Sequence, residues 1–546
     1  MGFGASDFFE LGLAVFFLTL ALGSRRWIEP WLRRLAPRTV WCMLLLAALP
    51  VALRLAMLPR HGVPAPGVYD EYGHLLVADT LAHFRLANPT HPLHQFFETF
   101  FVMQTPSYAS IYPLGEGATL AIGRAMFGVP WAGVLLTTAA MCALCYWMLR
   151  AWVRPEWALL GGLVAVMEFG PLNAWTNSYW GGALAGCAGC LVFGALPRLR
   201  SGGRALYGAL LGLGIGIHWH ARPYETVFLI LAAILFLLPS WRRMARPAMA
   251  AAIVLLPFAG LSLLQNKQVT GSWTTLPYAA SRYQYGVPAA FTWQSNPEPH
   301  NELTPQQQMQ YKMQTGFRSA GPETIGSYFE RLAYRVRFYR FFFLAPLYVA
   351  LPFFFARLRD RRFAWAALTM AIFALGTNFY PFFETHYLGA LVCLFVLVSV
   401  AGLERLGGDA ARLIVFLCVA HFVFFYTRSF FEPEKPDSHA SVNRELAGAP
   451  GKQLVFVRYW PQHMFQDEWV YNAADIDGSR VVWARDLGEG EDQKLLHYYP
   501  GRAAWLLEPD ALPPRLQRYQ PQPRPDQPKT PQPKTKQPAL EFEQVH

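Results

Sequence analysis

The stretch 67-GVYDEYGHLLVADTLAHFRL-86 decides how this chain is read. It follows an apolar run and opens on two adjacent carboxylates, Asp70 and Glu71. Beyond Pro64 and Pro66, residues 70–86 alternate with helical period. Leu75, Leu76, Ala78, Leu81, Ala82 and Phe84 are apolar, and Asp70, His74, Asp79 and Arg85 are polar. The pattern predicts a helix lying in a membrane interface rather than crossing the bilayer. Acids in its first turn meet the positive end of the helix dipole, so capping is one reading of the pair. Chemistry is the other, and the rest of the chain bears on the choice.

Apolar runs of spanning length recur up to residue 427 in a chain of 546 residues that is 53% hydrophobic and 15% charged. This is the composition of an α-helical polytopic membrane protein. The net charge of +11 does not indicate nucleic acid, because the arginines sit in short clusters between apolar runs, as at Arg25, Arg26, Arg33 and Arg34. Such clusters mark cytoplasmic loops. Alternating sides with them predicts about twelve spans, at 5–23, 39–58, 129–149, 156–172, 179–197, 205–220, 224–240, 248–265, 338–356, 363–379, 386–403 and 410–427. Asp7 and Glu10 precede or enter the first run and arginines follow it, the reverse of a signal peptide, so it is expected to be a span with its N-terminus outside. Loops 59–128 and 266–337 then lie outside as well. All seven cysteines fall in apolar runs, and the pairs Cys142/Cys145 and Cys187/Cys190 read as small packing residues rather than zinc ligands.

A transmembrane domain thus covers 1–427. Residues 428–518 form a small extracytoplasmic α/β domain with strands at 453-QLVFVR-458, 480-RVVWAR-485 and 503-AAWLL-507 and a helix over 491–499. It is too small for an independent core and is expected to lean on the membrane domain. The Pro/Gln-rich segment 519–546 is predicted to be disordered.

Four further exits carry polar and aromatic residues to the same outer side. The exit 173-NAWTNSYWGG-182 brings Asn177, Tyr179 and Trp180, rings and amides suited to a sugar, though an interfacial aromatic belt has the same composition. At 218-HWHARPYE-225 stand His218, His220, Arg222 and Glu225. Arg222 offers a fork of donors to a phosphate, and an Arg222–Glu225 surface pair is the structural alternative. Glu384 and His386 arrive in 378-NFYPFFETHYLGA-390, and Lys267 with Asn266 at the end of the eighth span. The spacing of His218 and His220 invites a metal, but no third ligand accompanies it, and no residue is assigned to a metal site. Arg54, inside the second span, is expected to snorkel or to pair.

With the Asp70-Glu71 pair in the first large outer loop, many spans and a soluble C-terminal appendage, the chain resembles the GT-C superfamily of membrane glycosyltransferases. These include the protein O-mannosyltransferases and the lipid A aminoarabinose transferase. The resemblance implies an inverting transfer of a sugar from a polyprenyl-phosphate carrier to a lipid, glycan or protein acceptor. It places the reaction at the extracytoplasmic (periplasmic) face of the inner membrane. It implies Asp70 as general base with Glu71 assisting, and Arg222 and Lys267 at the carrier phosphate. His74, Glu225, His218, His220, Glu384, His386, Asn177, Tyr179 and Trp180 would complete the substrate site. A divalent cation, magnesium or manganese, stays open as a cofactor. Two departures from the family pattern stand out: two spans precede the acid pair instead of one, and HYLGA replaces an aromatic-proline signature. The competing classes are a transporter or flippase for lipid-linked sugars, an O-antigen ligase or polymerase, and a non-enzymatic scaffold.

Overall fold

The computed structural model describes residues 4–316, 323–433 and 438–520. From the N-terminus run α1 (Ala5–Leu35) and α2 (Thr39–Ala56). A first connecting segment follows, with α3 (Tyr69–Ala82), a ribbon of β1 (Val102–Met103) and β2 (Ala109–Ser110), and α4 (Leu114–Phe127). Next come α5 (Trp131–Leu149), α6 (Pro155–Phe169), α7 (Gly182–Gly202), α8 (Ala205–Ala221), α9 (Pro223–Leu237) and α10 (Ala245–Thr270). The second connecting segment holds α11 (Pro277–Tyr285), α12 (Pro305–Gly316) and α13 (Ile325–Val336). Short turns around α14 (Leu351–Phe354) then lead into α15 (Arg361–Thr377), α16 (Val392–Leu406) and α17 (Gly408–Phe431).

Among the described residues, eight segments are long and apolar enough to cross a bilayer: α1, α2, α5, α7, Pro223–Arg243, α10, Thr385–Leu406 and α17. The chain is therefore a multi-pass membrane protein. Three other expected spans are the shorter helices α6, α8 and α15. The expected span 338–356 is no single helix but a series of short turns, because Pro346 and Pro352 each remove a backbone donor and crowd the preceding turn. The first helix also differs from expectation, running on through Arg25, Arg26 and Pro30 to Leu35. The core lies where α5, α7 and α16 meet, and α7 and α16 are buried along most of their length. All seven cysteines are free and buried. Exposed Leu11, Phe16, Trp41 and Leu44 on α1 and α2, and Met249, Ile253 and Leu256 on α10, present the apolar surface that lipid would cover.

Residues 438–520 begin with α18 (Ser438–Gly448) and build a four-stranded sheet. Its central strand β3 (Gln453–Val457) pairs in parallel with β4 (Val481–Arg485) and β5 (Ala503–Glu508), with α19 (Glu489–Tyr498) crossing between the last two. Strand β6 (Arg515–Arg518) closes the edge antiparallel to β5. Tyr519 belongs to this unit: its ring packs on Phe456 and its hydroxyl donates to Asp492 at 2.9 Å. The remainder of the expected disordered tail, 521–546, lies outside the described residues.

This unit leans on both connecting segments through buried contacts. Arg485 donates from Nε to the Glu98 carbonyl at 2.5 Å, from one terminal nitrogen to Gln306 at 2.8 Å and from the other to Glu468 at 2.5 Å. Tyr108 donates to the Asn472 carbonyl at 2.9 Å. Leu76 of α3 joins Leu454, Phe456 and Ile476 in one apolar cluster. Helix α3 is consequently no interfacial surface helix. It is covered by α4 on one side and by the C-terminal unit on another, which buries Glu71, His74, Leu76, Val77, Asp79 and Thr80. Its polar residues find partners inside the protein instead of water: Asp79 pairs with Arg124 and accepts from the Ala474 amide at 2.7 Å. Arg54 also pairs, to Asn177 at 2.6 Å and to the His61 and Gly62 carbonyls, with its guanidinium 4.7 Å from the Trp131 ring centre.

Candidate active site

Asp70 and Glu71 are neighbours in sequence with different surroundings. Glu71 faces back across the start of α3. One of its oxygens accepts from the amides of Gly67 (2.6 Å) and Val68 (3.1 Å), the other from the amide of Tyr179 (2.8 Å). It ties the helix N-terminus to the α6–α7 connection. Burial raises its carboxyl above the usual range against the pull of those three donors. The capping reading thus describes Glu71, whose oxygens are occupied by backbone.

Asp70 is half-buried, and its carboxylate accepts from the Tyr112 hydroxyl. The Tyr112 ring reaches it by lying against Gly73, where a Cβ would stand 2.7 Å from the ring edge. Burial pushes the Asp70 carboxyl up to about 6, opposed by the Tyr112 bond and the nearby Arg222 charge.

Beside it opens a cleft of about 340 Å³, solvent-facing space included, lined by His74, Tyr112, Glu116, Trp180, Arg222 and Tyr278 among others. Arg222 terminates α8, and its guanidinium centre stands 4.5 Å from the centre of the Tyr387 ring. Among the described residues that guanidinium makes no hydrogen bond or ion pair with protein, and the expected pair with Glu225 is not formed, although the buried Glu225 carboxylate supports its charge. Three more polar atoms of the lining are buried without a partner: His74 Nδ1, Glu116 Oε2 and Trp180 Nε1. Burial pushes Glu116 up to about 8 and His74 down to about 3, with Arg222 opposing the first shift and adding to the second. Gly181, at φ +78°, leaves room for Glu116: a Cβ there would meet its Oε2 at 2.6 Å. Glu384 stands close enough for Asp70 and Arg222 to act on it, and burial followed by the Asp70 charge pushes it up to about 7. His386 is buried against Trp180, ring centres 5.1 Å apart, with its Nδ1 unpartnered.

Asp70, His74, Trp180, His220, Arg222, Glu225, Glu384 and His386 therefore gather around one cleft, from separate connections between helices. Other candidates serve the scaffold. Asn177 spends its amide on the Pro171 and Asn173 carbonyls and its oxygen on Arg54. Tyr179 is buried, with its hydroxyl on the Pro64 carbonyl at 2.9 Å. His218 is buried against Thr226 at 2.7 Å. His220 does both, lining the cleft while its Nε2 meets the Phe258 carbonyl at 3.0 Å. Lys267 departs from expectation: it is exposed and its ammonium caps α10 on the Gly271 carbonyl at 2.7 Å, outside the cleft lining. Tyr278 of α11 comes to the cleft from that loop in its place. Among the described residues no group of three or more His, Cys, Asp or Glu side chains is placed to hold a metal ion. Tyr112, Glu116 and Tyr278 escaped the sequence reading. The signal for Glu116 was present, a lone carboxylate early in the apolar run 114-LGEGATLAIGRAMF-127.

No family model matches the sequence, and no curated protein matches it. The structure does find counterparts. They identify a multi-pass membrane protein of GT-C fold, as the resemblance implied. In particular it is similar to ArnT from Cupriavidus metallidurans, in the apo state (TM-score 0.51) and bound to undecaprenyl phosphate (TM-score 0.52). Each match has 12% identity and covers 85% of this chain and 92% of that one. At that identity the likeness establishes the fold. An oligosaccharyltransferase from Archaeoglobus fulgidus is similar more loosely, with a TM-score of 0.47 and 11% identity over 88% of this chain and 70% of that one. That likeness is too loose to bear on the site.

Proposed function

We propose that this protein is an inverting glycosyltransferase of the inner membrane. It moves a hexosyl or pentosyl group from a polyprenyl-phosphate carrier to a lipid, glycan or protein acceptor at the extracytoplasmic face. One observation carries the reading: an arginine fork without a protein partner lines a cleft beside a carboxylate whose protonation midpoint lies below neutrality. The ArnT structure of the same fold was solved with undecaprenyl phosphate, which fits a lipid phosphate as the anion.

The chemistry follows from those groups. Above pH 6 Asp70 is ionised and takes the proton of the acceptor hydroxyl as that oxygen bonds to the anomeric carbon. The bond from that carbon to the phosphate oxygen breaks on the opposite face, and its electron pair leaves with the polyprenyl phosphate. A phosphate leaves as an anion, so no second acid is needed to protonate it, unlike the paired carboxyls of glycoside hydrolases. Arg222 holds the developing charge in a fork of donors. Glu116, which keeps its proton at pH 7, donates to a sugar hydroxyl, while Trp180 supplies an indole N–H and a ring face and His74 a ring nitrogen. Glu71 positions the helix and touches no substrate.

The test is incubation of the lipid-reconstituted protein with a panel of polyprenyl-phosphate sugars and candidate acceptors. Release of polyprenyl phosphate that requires Asp70 is expected. Carriers that bind without ever releasing their sugar would leave a scaffold or transporter instead.

A further inference from the structure

The face of α3 turned away from the cleft is gripped by one irregular segment of the C-terminal unit. Tyr69, Tyr72, Leu76 and Asp79 recur at three- and four-residue spacing along one side of the helix, while Asp70 and His74 share another. On the first side, the Tyr72 ring stacks on Tyr471, centres 4.5 Å apart and planes within 4°. Tyr69 meets Phe465 at 6.4 Å, and Asp79 accepts from the Ala474 amide at 2.7 Å. The Tyr72 hydroxyl lies 3.3 Å from Nδ1 of His439, whose Nε2 contacts Asp467 at 2.9 Å and whose ring stacks on Trp469 at 3.6 Å.

The segment is in turn bolted to the sheet. Asn472 exchanges two hydrogen bonds with the backbone of Trp483 in β4, at 2.8 and 2.9 Å. Glu468 is fixed by Arg485 at 2.5 Å and by Tyr459. Tyr471 donates to the Phe100 carbonyl at 3.2 Å. Burial and the charges of Glu468 and Asp70 hold its phenol well above the ordinary tyrosine range, so Tyr471 stands within electrostatic reach of the candidate base. The ring contacts of this grip, Tyr69 with Phe465 and Tyr72 with Tyr471, fall on the turn that carries Asp70, and the Asp79 bond holds the far end of the helix.

We propose that residues 459–476 are a positioning element for the glycosyl-transfer site, with Tyr471 the positioning residue that fixes the Asp70 carboxylate by clamping Tyr72. This rests on the reading of Asp70 as proton acceptor.

The test uses full-length protein in lipid, with Tyr471→Ala and Tyr471→Phe. Turnover is measured alongside the pH dependence of Asp70 modification by dicyclohexylcarbodiimide, quantified by mass spectrometry. Tyr471→Ala is expected to lower kcat by about 10–100-fold, since a displacement near 1 Å has that effect, with the donor KM held within about threefold. Its Asp70 modification midpoint falls, because a carboxylate released toward water returns toward the ordinary aspartate range. Tyr471→Phe keeps the stack and matches wild type in both measurements. Tyr72→Leu removes the same stack from the α3 side and replaces Tyr471→Ala if that variant does not insert. An unmoved modification midpoint, whether kcat is kept or lost, overturns the proposal. The labelling needs no turnover: a shifted midpoint in a protein that transfers no sugar would sink the transferase reading and leave the positioning of Asp70 standing.

Discussion

Replacing Asp70 by Asn separates chemistry from architecture. The amide oxygen still accepts from Tyr112, and Gly73 still leaves room for that ring, so the cleft keeps its shape. The lost property is the ability to take a proton. Turnover should therefore fall by about 10²–10⁴-fold, with the donor KM little changed because Arg222 is untouched. Stability should move the other way. The rise of the Asp70 carboxyl to about 6 weighs against its charged form. Relative to an ordinary aspartate this is at most about 3 kcal/mol, less what water reaching the half-buried group screens. The penalty on the folded state is complete above pH 6, fades toward the ordinary aspartate value and vanishes below it. Asp70→Asn should thus unfold at higher temperature than wild type at pH 8, and with no such advantage at pH 4. Polyprenyl phosphate release at saturating donor, with thermal unfolding at both pH values, measures the two effects. A variant that retains a tenth or more of wild-type turnover would refute proton transfer to Asp70.

Wild-type kcat/KM should fall about tenfold per pH unit below a midpoint near 6 and level off above it. A midpoint in the ordinary aspartate range would mean that Asp70 is not desolvated in the working protein. Arg222→Ala should weaken polyprenyl phosphate binding by about 10–150-fold, from the loss of charge-assisted hydrogen bonds, with Arg222→Lys intermediate because it lacks the fork. Equilibrium binding in nanodiscs reads this directly. Glu71→Ala leaves the buried Tyr179 amide without its partner and should lower unfolding stability by about 1–3 kcal/mol. Lys267→Ala should change stability by less than about 0.5 kcal/mol and leave turnover alone, since its ammonium only caps α10.

The membrane architecture was legible because apolar runs and arginine clusters are local signals. So were three of the four strands of the C-terminal sheet, whose β-branched and aromatic residues write their period into a few positions. Strand β6, with the sequence RLQR, carries no such mark and exists because β5 offers an unpaired edge. The convergence of Asp70, Trp180, Arg222 and Glu384 could be anticipated from topology, since each follows or precedes a membrane helix on the same side. What stayed hidden was pairing. Asp79 and His74 look like water-facing residues until the C-terminal unit and α4 are placed around them. Lys267 looks like a phosphate ligand until its ammonium is found on Gly271. Glu71 and Asp70 are indistinguishable as letters, and only the donors of the α6–α7 connection assign one to structure and leave the other open.

The bond from Ala474 to Asp79 joins residues 395 positions apart. At ribosomal speeds of about 5–20 residues per second, some 20–80 seconds separate their synthesis. Through that interval the helix bearing Asp70 has emerged without the wall that later seals one of its sides. A chain that has not yet reached residue 474 would hold that carboxylate on a helix lacking the Asp79 contact. Emergence of residues 438–520, rather than insertion of the membrane helices, would then set the moment at which the helix bearing Asp70 becomes held.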